Sequence, residues 1–170
     1  MKTLKKISYA LIILLFTISC KKDDLPKATQ EGKNVMAAKI DGNVWINTAC
    51  SSCIGGGSGL SVSYEQMFIN ILGQQKNGST SLSIQLYFKV QEVGNYIING
   101  TSFNDDNFIK LIDKNITYNT SKQHTGNLNI TKIDRVNKIL SGTFSFTAVN
   151  ENNLNDVKSI TDGRFDVTYN

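Results

Sequence analysis

The sequence has few of the residues that build metal centres and catalytic triads. It contains one histidine, one tryptophan, one proline and three cysteines in 170 residues. A structural zinc site takes about four ligands, and His124 lies far along the chain from the cysteines. No Gly-x-Ser-x-Gly sequence is present, which would have indicated a serine nucleophile. We therefore expect no catalytic residue, no metal and no other cofactor.

An excess of basic charge is also missing. The chain has 18 Lys and Arg against 14 Asp and Glu. Three of the basic residues lie among the first 19, which leaves 15 basic and 14 acidic residues in the remainder. Nucleic-acid binding needs a basic face or stripe, so nucleic acid is not an expected partner.

The first 20 residues differ from the rest. Lys2, Lys5 and Lys6 precede an apolar run over residues 7–18. This run is shorter than the roughly twenty residues that span a bilayer, and it has the length of a signal-peptide core. It ends in Ser19 and Cys20, and the stretch 17–20 resembles the lipobox of bacterial lipoproteins. That resemblance implies cleavage before Cys20 and attachment of lipid to its sulfur and its new amino group.

Two interpretations of the cleavage site stay open. More than one acyl chain is needed for stable anchoring, and a lipidated Cys20 would supply them. Ordinary cleavage after Ser19 would instead leave Cys20 as a thiol.

Residues 21–24 (Lys-Lys-Asp-Asp) resemble the signal that sends Bacteroidetes-type lipoproteins to the outer face of the outer membrane, or they form a solvated tether. We expect an outer-membrane protein, anchored by lipid, that lies either on the periplasmic side or at the cell surface.

Three segments follow from these features. Residues 1–19 are a lipoprotein signal peptide, residues 20–33 are the lipidated cysteine with a flexible tether that contains Pro26, and residues 34–170 are one domain. That length is enough to bury a substantial core.

The domain shows the pattern of a half-buried antiparallel sheet. Apolar and polar residues alternate over 81–91, as in a strand with one wet face. Asp41 and Gly42 form a two-residue hairpin signal. About ten short strands with turns between them predict a single antiparallel β-sandwich, with a β-barrel as the alternative.

Four local assignments complete this prediction. Residues 74–78 read as a turn, and residues 103–115 fit either a strand or a helical turn. Residues 116–120 read as an edge strand. Residues 158–161 and 164–169 read as the arms of a last hairpin around Asp162 and Gly163.

The carboxyl-terminal part carries a second resemblance. Residues 126–134, 140–146 and 160–167 are similar to a family of small Bacteroidetes outer-membrane lipoproteins of unknown function. These are strand and turn patterns, so the resemblance implies a fold and transfers no catalytic residue.

Cys50 and Cys53 are the remaining cysteine pair. We predict a structural disulfide, because the compartment outside the inner membrane is oxidising. A Cys-x-x-Cys redox centre draws its reactivity from a helix amino terminus, whereas a glycine-rich run follows here. Redox chemistry and two free thiols stay open as alternatives.

Two aromatic residues are candidates for a binding face. Trp45 shares a strand face with Asn43 and Asn47, and Tyr87 shares one with Gln85 and Lys89. Aromatic rings on polar faces can stack on sugars or partner proteins, although a core Trp and an ordinary surface Tyr are the commoner outcome.

The expected function is therefore coarse. We expect a non-enzymatic binding or structural module of the cell envelope, bound to the membrane by lipid and to an envelope ligand or protein of unknown identity. The alternative is an extracytoplasmic hydrolase or redox enzyme whose site is assembled only in space.

Overall fold

The computed structural model describes residues 25–48, 57–77 and 80–170. All of its regular structure is β, and no helix occurs in these residues. The eleven strands are β1 (Val35–Ile40), β2 (Asn43–Ile46), β3 (Leu60–Glu65), β4 (Phe68–Asn77), β5 (Thr80–Lys89), β6 (Gly94–Ile98), β7 (Asn107–Asp113), β8 (Ile116–Asn119), β9 (Gly126–Asp134), β10 (Ile139–Asn150) and β11 (Asn153–Thr168).

Hydrogen bonds join all eleven strands into one antiparallel sheet. Its main order is β2-β1-β11-β10-β8-β7-β5-β4-β3, and β9 and β6 branch from β10. The branch arises because one edge of β10 pairs first with β9, over Ile139 to Phe146, and then with β8, at Val149 and Asn150. Strand β10 thus links a first layer (β6, β9, β10, β11, β1, β2) to a second layer (β8, β7, β5, β4, β3).

The two layers face each other across one core. The rings of Phe88 on β5 and Phe165 on β11 lie 6.4 Å apart, although these strands are not neighbours in the sheet. Inward-facing side chains from both layers form one buried cluster. Each large apolar side chain contributes about 1.5–3 kcal/mol when fully buried. The prediction of an all-β antiparallel domain, sandwich-like or barrel-like in form, is confirmed.

Trp45 lies in this core and not on a binding face. Only 1% of it is exposed, and its indole Nε1–H donates to the carbonyl of Leu82 at 3.1 Å. Gly73 makes room for the ring, because a Cβ there would come within 2.8 Å of Trp45 Cη2. The polar neighbours of Trp45 on β2 suggested an outer face, but contact with β4 and β5 buries the indole.

The predicted hairpin around Asp162 and Gly163 is wrong. Strand β11 continues through both residues, and its register shifts there against β10 on one side and β1 on the other. Asp162 has a φ of 52°. An extra residue with positive φ is the mark of a β-bulge, which bends a strand without ending it. The chain cannot reverse here because both edges of β11 are already paired.

Three smaller assignments also change. Strand β4 runs on to Asn77, through most of the predicted turn at 74–78. The undecided stretch 103–115 contains β7. Strand β8 is not an edge strand, since it pairs with β7 and with β10.

Candidate functional site

An aromatic ladder crosses the outer face of the second layer. Leu86 and Phe88 of β5 point into the core, so the alternation of the strand turns Tyr87 outward. The Tyr87 ring lies nearly parallel to Phe68 of β4 and to Phe108 of β7, with centroid distances of 5.2 and 5.1 Å and interplanar angles of 7° and 24°. Offset stacking of this kind stabilises aromatic pairs by about 0.5–1.5 kcal/mol beyond burial.

Phe103 stands edge-on against this ladder. Its ring centroid lies 4.9 Å from that of Tyr87 and 4.8 Å from that of Phe108, at 74° and 85°. The side chain is still 57% exposed. Its loop is held by Asp105, whose Oδ2 accepts hydrogen bonds from the backbone N–H groups of Thr101 at 2.7 Å and Ser102 at 3.1 Å. These two N–H groups, Thr101 first, hold the pKa of Asp105 below its usual value.

A groove of about 350 Å³ opens beside the ladder, and we call it the aromatic groove. It is lined by Ser63, Glu65, Gln66, Phe68, Asn70, Tyr87 and Phe103. The lining combines aromatic rings with hydroxyl, amide and carboxylate groups and contains no Lys or Arg. The amide of Asn70 is oriented by Gln85, whose Nε2 donates to Asn70 Oδ1 at 2.9 Å.

The rim of the groove is built on an unusual turn. Gln66 and Met67 connect β3 to β4 with φ values of 49° and 73°. A two-residue hairpin loop of type I′ has positive φ at both positions, which normally selects Asn and Gly. Two side chains larger than glycine cost free energy here, of the order of 1 kcal/mol each. The Val90 N–H donates to the Met67 carbonyl at 2.8 Å and holds the turn in place.

The structure separates the two predicted aromatic candidates. Tyr87 lies on the outer face of the second layer, whereas Trp45 lies in the interior. Both faces of the Tyr87 ring are occupied, because β4 and β7 flank β5 on opposite sides and each supplies a parallel ring. Tyr87 therefore offers the groove its hydroxyl and ring edge, and the rings of Phe68 and Phe103 supply the rest of the aromatic surface. Sequence reasoning missed these two because they come from segments distant in the chain from Tyr87.

Asp166 is the most strongly hydrogen-bonded ionisable group in the described part of the chain. It is 1% exposed and lies on β11. Five hydrogen bonds reach its carboxylate, from Thr29 Oγ1 (2.6 Å), Glu31 N (3.0 Å), Gly32 N (2.9 Å), Lys33 N (3.2 Å) and Ser141 Oγ (2.8 Å). Burial alone would raise the pKa of Asp166, and the hydrogen bonds, led by those of Thr29 and Ser141, outweigh it and hold the pKa at about 2.

These partners give Asp166 a structural role. Four of the five donors belong to residues 29–33, which the sequence assigned to a flexible tether. The segment 25–33, which we call the strap, instead lies along the domain. Hydrogen-bond donors of the same chain occupy the acceptor positions of the carboxylate, so it is not available to a ligand.

Other predicted site residues fall outside the described ranges. Cys20, Cys50 and Cys53 are all among them, so the lipid attachment and the disulfide stay predictions. Within residues 25–48, 57–77 and 80–170, no group of three His, Cys, Asp or Glu side chains could hold a metal ion. The same residues contain no helix of the length and apolarity needed to cross a membrane.

The fold and the groove define an all-β domain with an open aromatic and polar site on one outer face. A family model described as a domain of unknown function (DUF6252) matches residues 33–167. The match covers well over half of the chain, and the chain belongs to this family. Comparison with curated proteins finds no match, and comparison with solved structures finds none. The expected membership of a family of unknown function is confirmed at this level.

Proposed function

We propose that this protein is a lipid-anchored binding module of the bacterial outer membrane that holds an uncharged glycan in the aromatic groove. Cys20 is the attachment point of the lipid in this proposal, and the chain is one of the small Bacteroidetes outer-membrane lipoproteins. The observation that carries the binding role is the composition of the groove, in which aromatic rings stand beside hydroxyl, amide and carboxylate groups on an outer sheet face.

A glycan fits this composition for two reasons. One face of a sugar ring presents C–H groups, which pack against the electron-rich face of an aromatic ring. The hydroxyl groups of the sugar both donate and accept, so they match Gln66, Asn70 and Ser63 in the lining. No cation lines the groove, so it lacks the charge-assisted hydrogen bonds that favour phosphorylated or carboxylated ligands.

Two polar groups of the groove are available to a ligand. In the described part of the chain, the Tyr87 hydroxyl and the Glu65 carboxylate have no hydrogen-bond partner. Small-molecule sites typically combine apolar surface with a few such polar groups that fix the orientation of the ligand.

Binding is favoured over hydrolysis by the number of carboxylates. Most glycosidases use a pair of carboxyl groups on either side of the scissile bond. The lining of the groove offers one, Glu65. A single carboxylate can accept hydrogen bonds from sugar hydroxyls without supplying the acid and base pair.

Calorimetric titration with uncharged linear oligosaccharides of glucose, galactose and xylose tests the proposal. We expect at least one to bind, and Phe103→Ala to weaken its binding roughly two- to tenfold, since an aromatic contact contributes roughly 0.5–1.5 kcal/mol. Leu154→Ala is the matched control, because it removes another exposed apolar side chain, 74% exposed, near the start of β11. Binding by none of the sugars, or equal loss in both variants, would contradict the glycan role.

A further inference from the structure

The strap is fixed to the first layer near both of its ends. At its start Leu25 is only 9% exposed, and the carbonyl of Pro26 accepts a hydrogen bond from Arg164 Nη1 at 3.0 Å. Farther along, Lys132 Nζ donates to the Gln30 carbonyl at 3.0 Å. Together with the Asp166 contacts, these bonds hold residues 25–33 against the domain. Only the chain between Cys20 and Leu25, which we call the leash, is left to connect the domain to a lipid anchor.

The remaining leash is short. Only residues 21–24 separate Cys20 from Leu25. Five consecutive Cα steps at no more than about 3.6 Å each span at most about 18 Å. A free segment up to residue 33 would instead reach about 50 Å. Docking of the strap therefore shortens the reach of a lipid anchor by more than half.

The leash leaves from the face opposite the aromatic groove. Phe165 of β11 and Phe88 of β5 meet in the core, so their outward neighbours Arg164 and Tyr87 point in opposite directions. Two packed layers are about 10 Å apart, and the side chains outside each layer add about half of that spacing on either side. The groove surface and the start of the strap are thus separated by about 20 Å, slightly more than the roughly 18 Å that the leash can span.

A polar surface lies beside the start of the strap, since Arg164 both lines it and donates to the Pro26 carbonyl. It forms a shallow depression of about 600 Å³ beside Arg164, and we call it the polar shelf. Its outward side chains are mainly amides and hydroxyls, from Asn95, Asn127, Asn129, Thr143 and Ser145. The register places them side by side across β6, β9 and β10. Such groups can hydrogen-bond to the phosphate and glycerol oxygens of lipid headgroups.

We infer that the polar shelf faces the lipid headgroups and that the strap keeps the aromatic groove pointing away from the membrane. This orientation rests on the Cys20 anchor of the proposed function. A domain with its groove against the bilayer would hold Leu25 higher above the surface than residues 21–24 can reach. The groove is then open to ligands that approach from the aqueous side.

Nitroxide labels on the two faces test the orientation. The lipidated chain with Cys50→Ser and Cys53→Ser carries one label, at Ser63→Cys beside the groove or at Asn127→Cys on the shelf; both positions are exposed. The protein is placed in phosphatidylethanolamine and phosphatidylglycerol vesicles that contain a nickel-chelating lipid. We expect the nickel to enhance relaxation of the Asn127 label several-fold more than that of the Ser63 label. Equal enhancement, or the reverse order, would overturn the orientation.

Gly32→Val tests whether the strap is the cause. Gly32 has a φ of +72°, and a Cβ there would lie 2.8 Å from Thr168 Cγ2, so a side chain should undock the strap while leaving the core unchanged. Circular dichroism checks that the domain stays folded. We expect the difference between the two labels to shrink strongly, and an unchanged difference would refute the role of the strap. A wild-type chain that does not float with vesicles would overturn the anchor itself. A chain that floats but shows equal or reversed relaxation enhancement of the two labels would overturn only the orientation.

Discussion

Replacement of Asp166 by Asn is the most informative single change in this chain. The amide has almost the same shape as the carboxylate, but it has no charge and only one acceptor atom. Asp166 accepts five hydrogen bonds, four of them from the strap. In the variant, several donors that now point at the carboxylate would lose their partner or face the amide NH₂.

The expected loss of stability follows from the pKa and the burial. A pKa of about 2 in the folded chain, against the ordinary 3.8, corresponds to roughly 2–3 kcal/mol of folding free energy at neutral pH. A buried donor left without a partner costs about 1–3 kcal/mol. We expect Asp166→Asn to lower the free energy of unfolding by roughly 2–4 kcal/mol at pH 7.

The pH dependence of stability provides an independent test of the role of Asp166. The folded pKa lies below the unfolded one, so the unfolded chain binds the proton more readily. The stabilisation by Asp166 is therefore fully present above about pH 4 and is lost as the pH falls towards 2. The difference between wild type and Asp166→Asn should narrow over this range, because protonated Asp166 no longer carries the charge that the strap binds.

Urea denaturation at a series of pH values measures both effects. Asp106→Asn is the matched control, since Asp106 is an exposed aspartate in the loop before β7. The control should stay within about 0.5 kcal/mol of wild type. An Asp166→Asn variant as stable as the control at pH 7, or a difference from wild type that does not change between pH 4 and 2, would refute the reasoning.

Three further predictions concern the anchor, the cysteine pair and the bulge. Cys20→Ala should move the protein from the detergent phase to the aqueous phase or leave it unprocessed; a wild-type mature chain without acyl mass would contradict this. Cys50 and Cys53 should yield no free thiols in denatured, unreduced protein, and their double Ser variant should melt within a few degrees of wild type, since so short a loop gains little from closure; two titrating thiols would contradict the disulfide. Gly163→Ala should lower the free energy of unfolding by roughly 1–3 kcal/mol, because its Cβ would lie 2.4 Å from Phe144 Cδ2, and an unchanged melting temperature would contradict the close approach.

Much of the strand content could be predicted because it depends on short-range patterns. The alternation over residues 81–91 identifies β5, and the Asp41–Gly42 pair identifies the β1–β2 hairpin. Both signals depend on residues within a few positions of each other. A strand with one wet face needs period-two alternation whatever its partners are.

The same local signal can fail when partners decide the outcome. Asp162 and Gly163 carry the same dipeptide as Asp41 and Gly42, yet they form a bulge inside β11. The difference lies in their neighbours, because β10 and β1 pair with β11 on both sides of the dipeptide. The residues around the dipeptide contain no information on which strands will pair with it.

The sequence by itself determined the class of the domain and its approximate strands, and the anchor at Cys20 stays a prediction from sequence. Only the tertiary structure decided that Trp45 is buried, that Asp166 binds the strap and that Phe68, Tyr87 and Phe103 share one groove. The physical reason is the distance along the chain over which each interaction acts. Alternation and turn preferences act between adjacent residues, whereas burial and side-chain hydrogen bonds depend on strands that are distant in sequence, and only folding of the whole sheet sets their pairing.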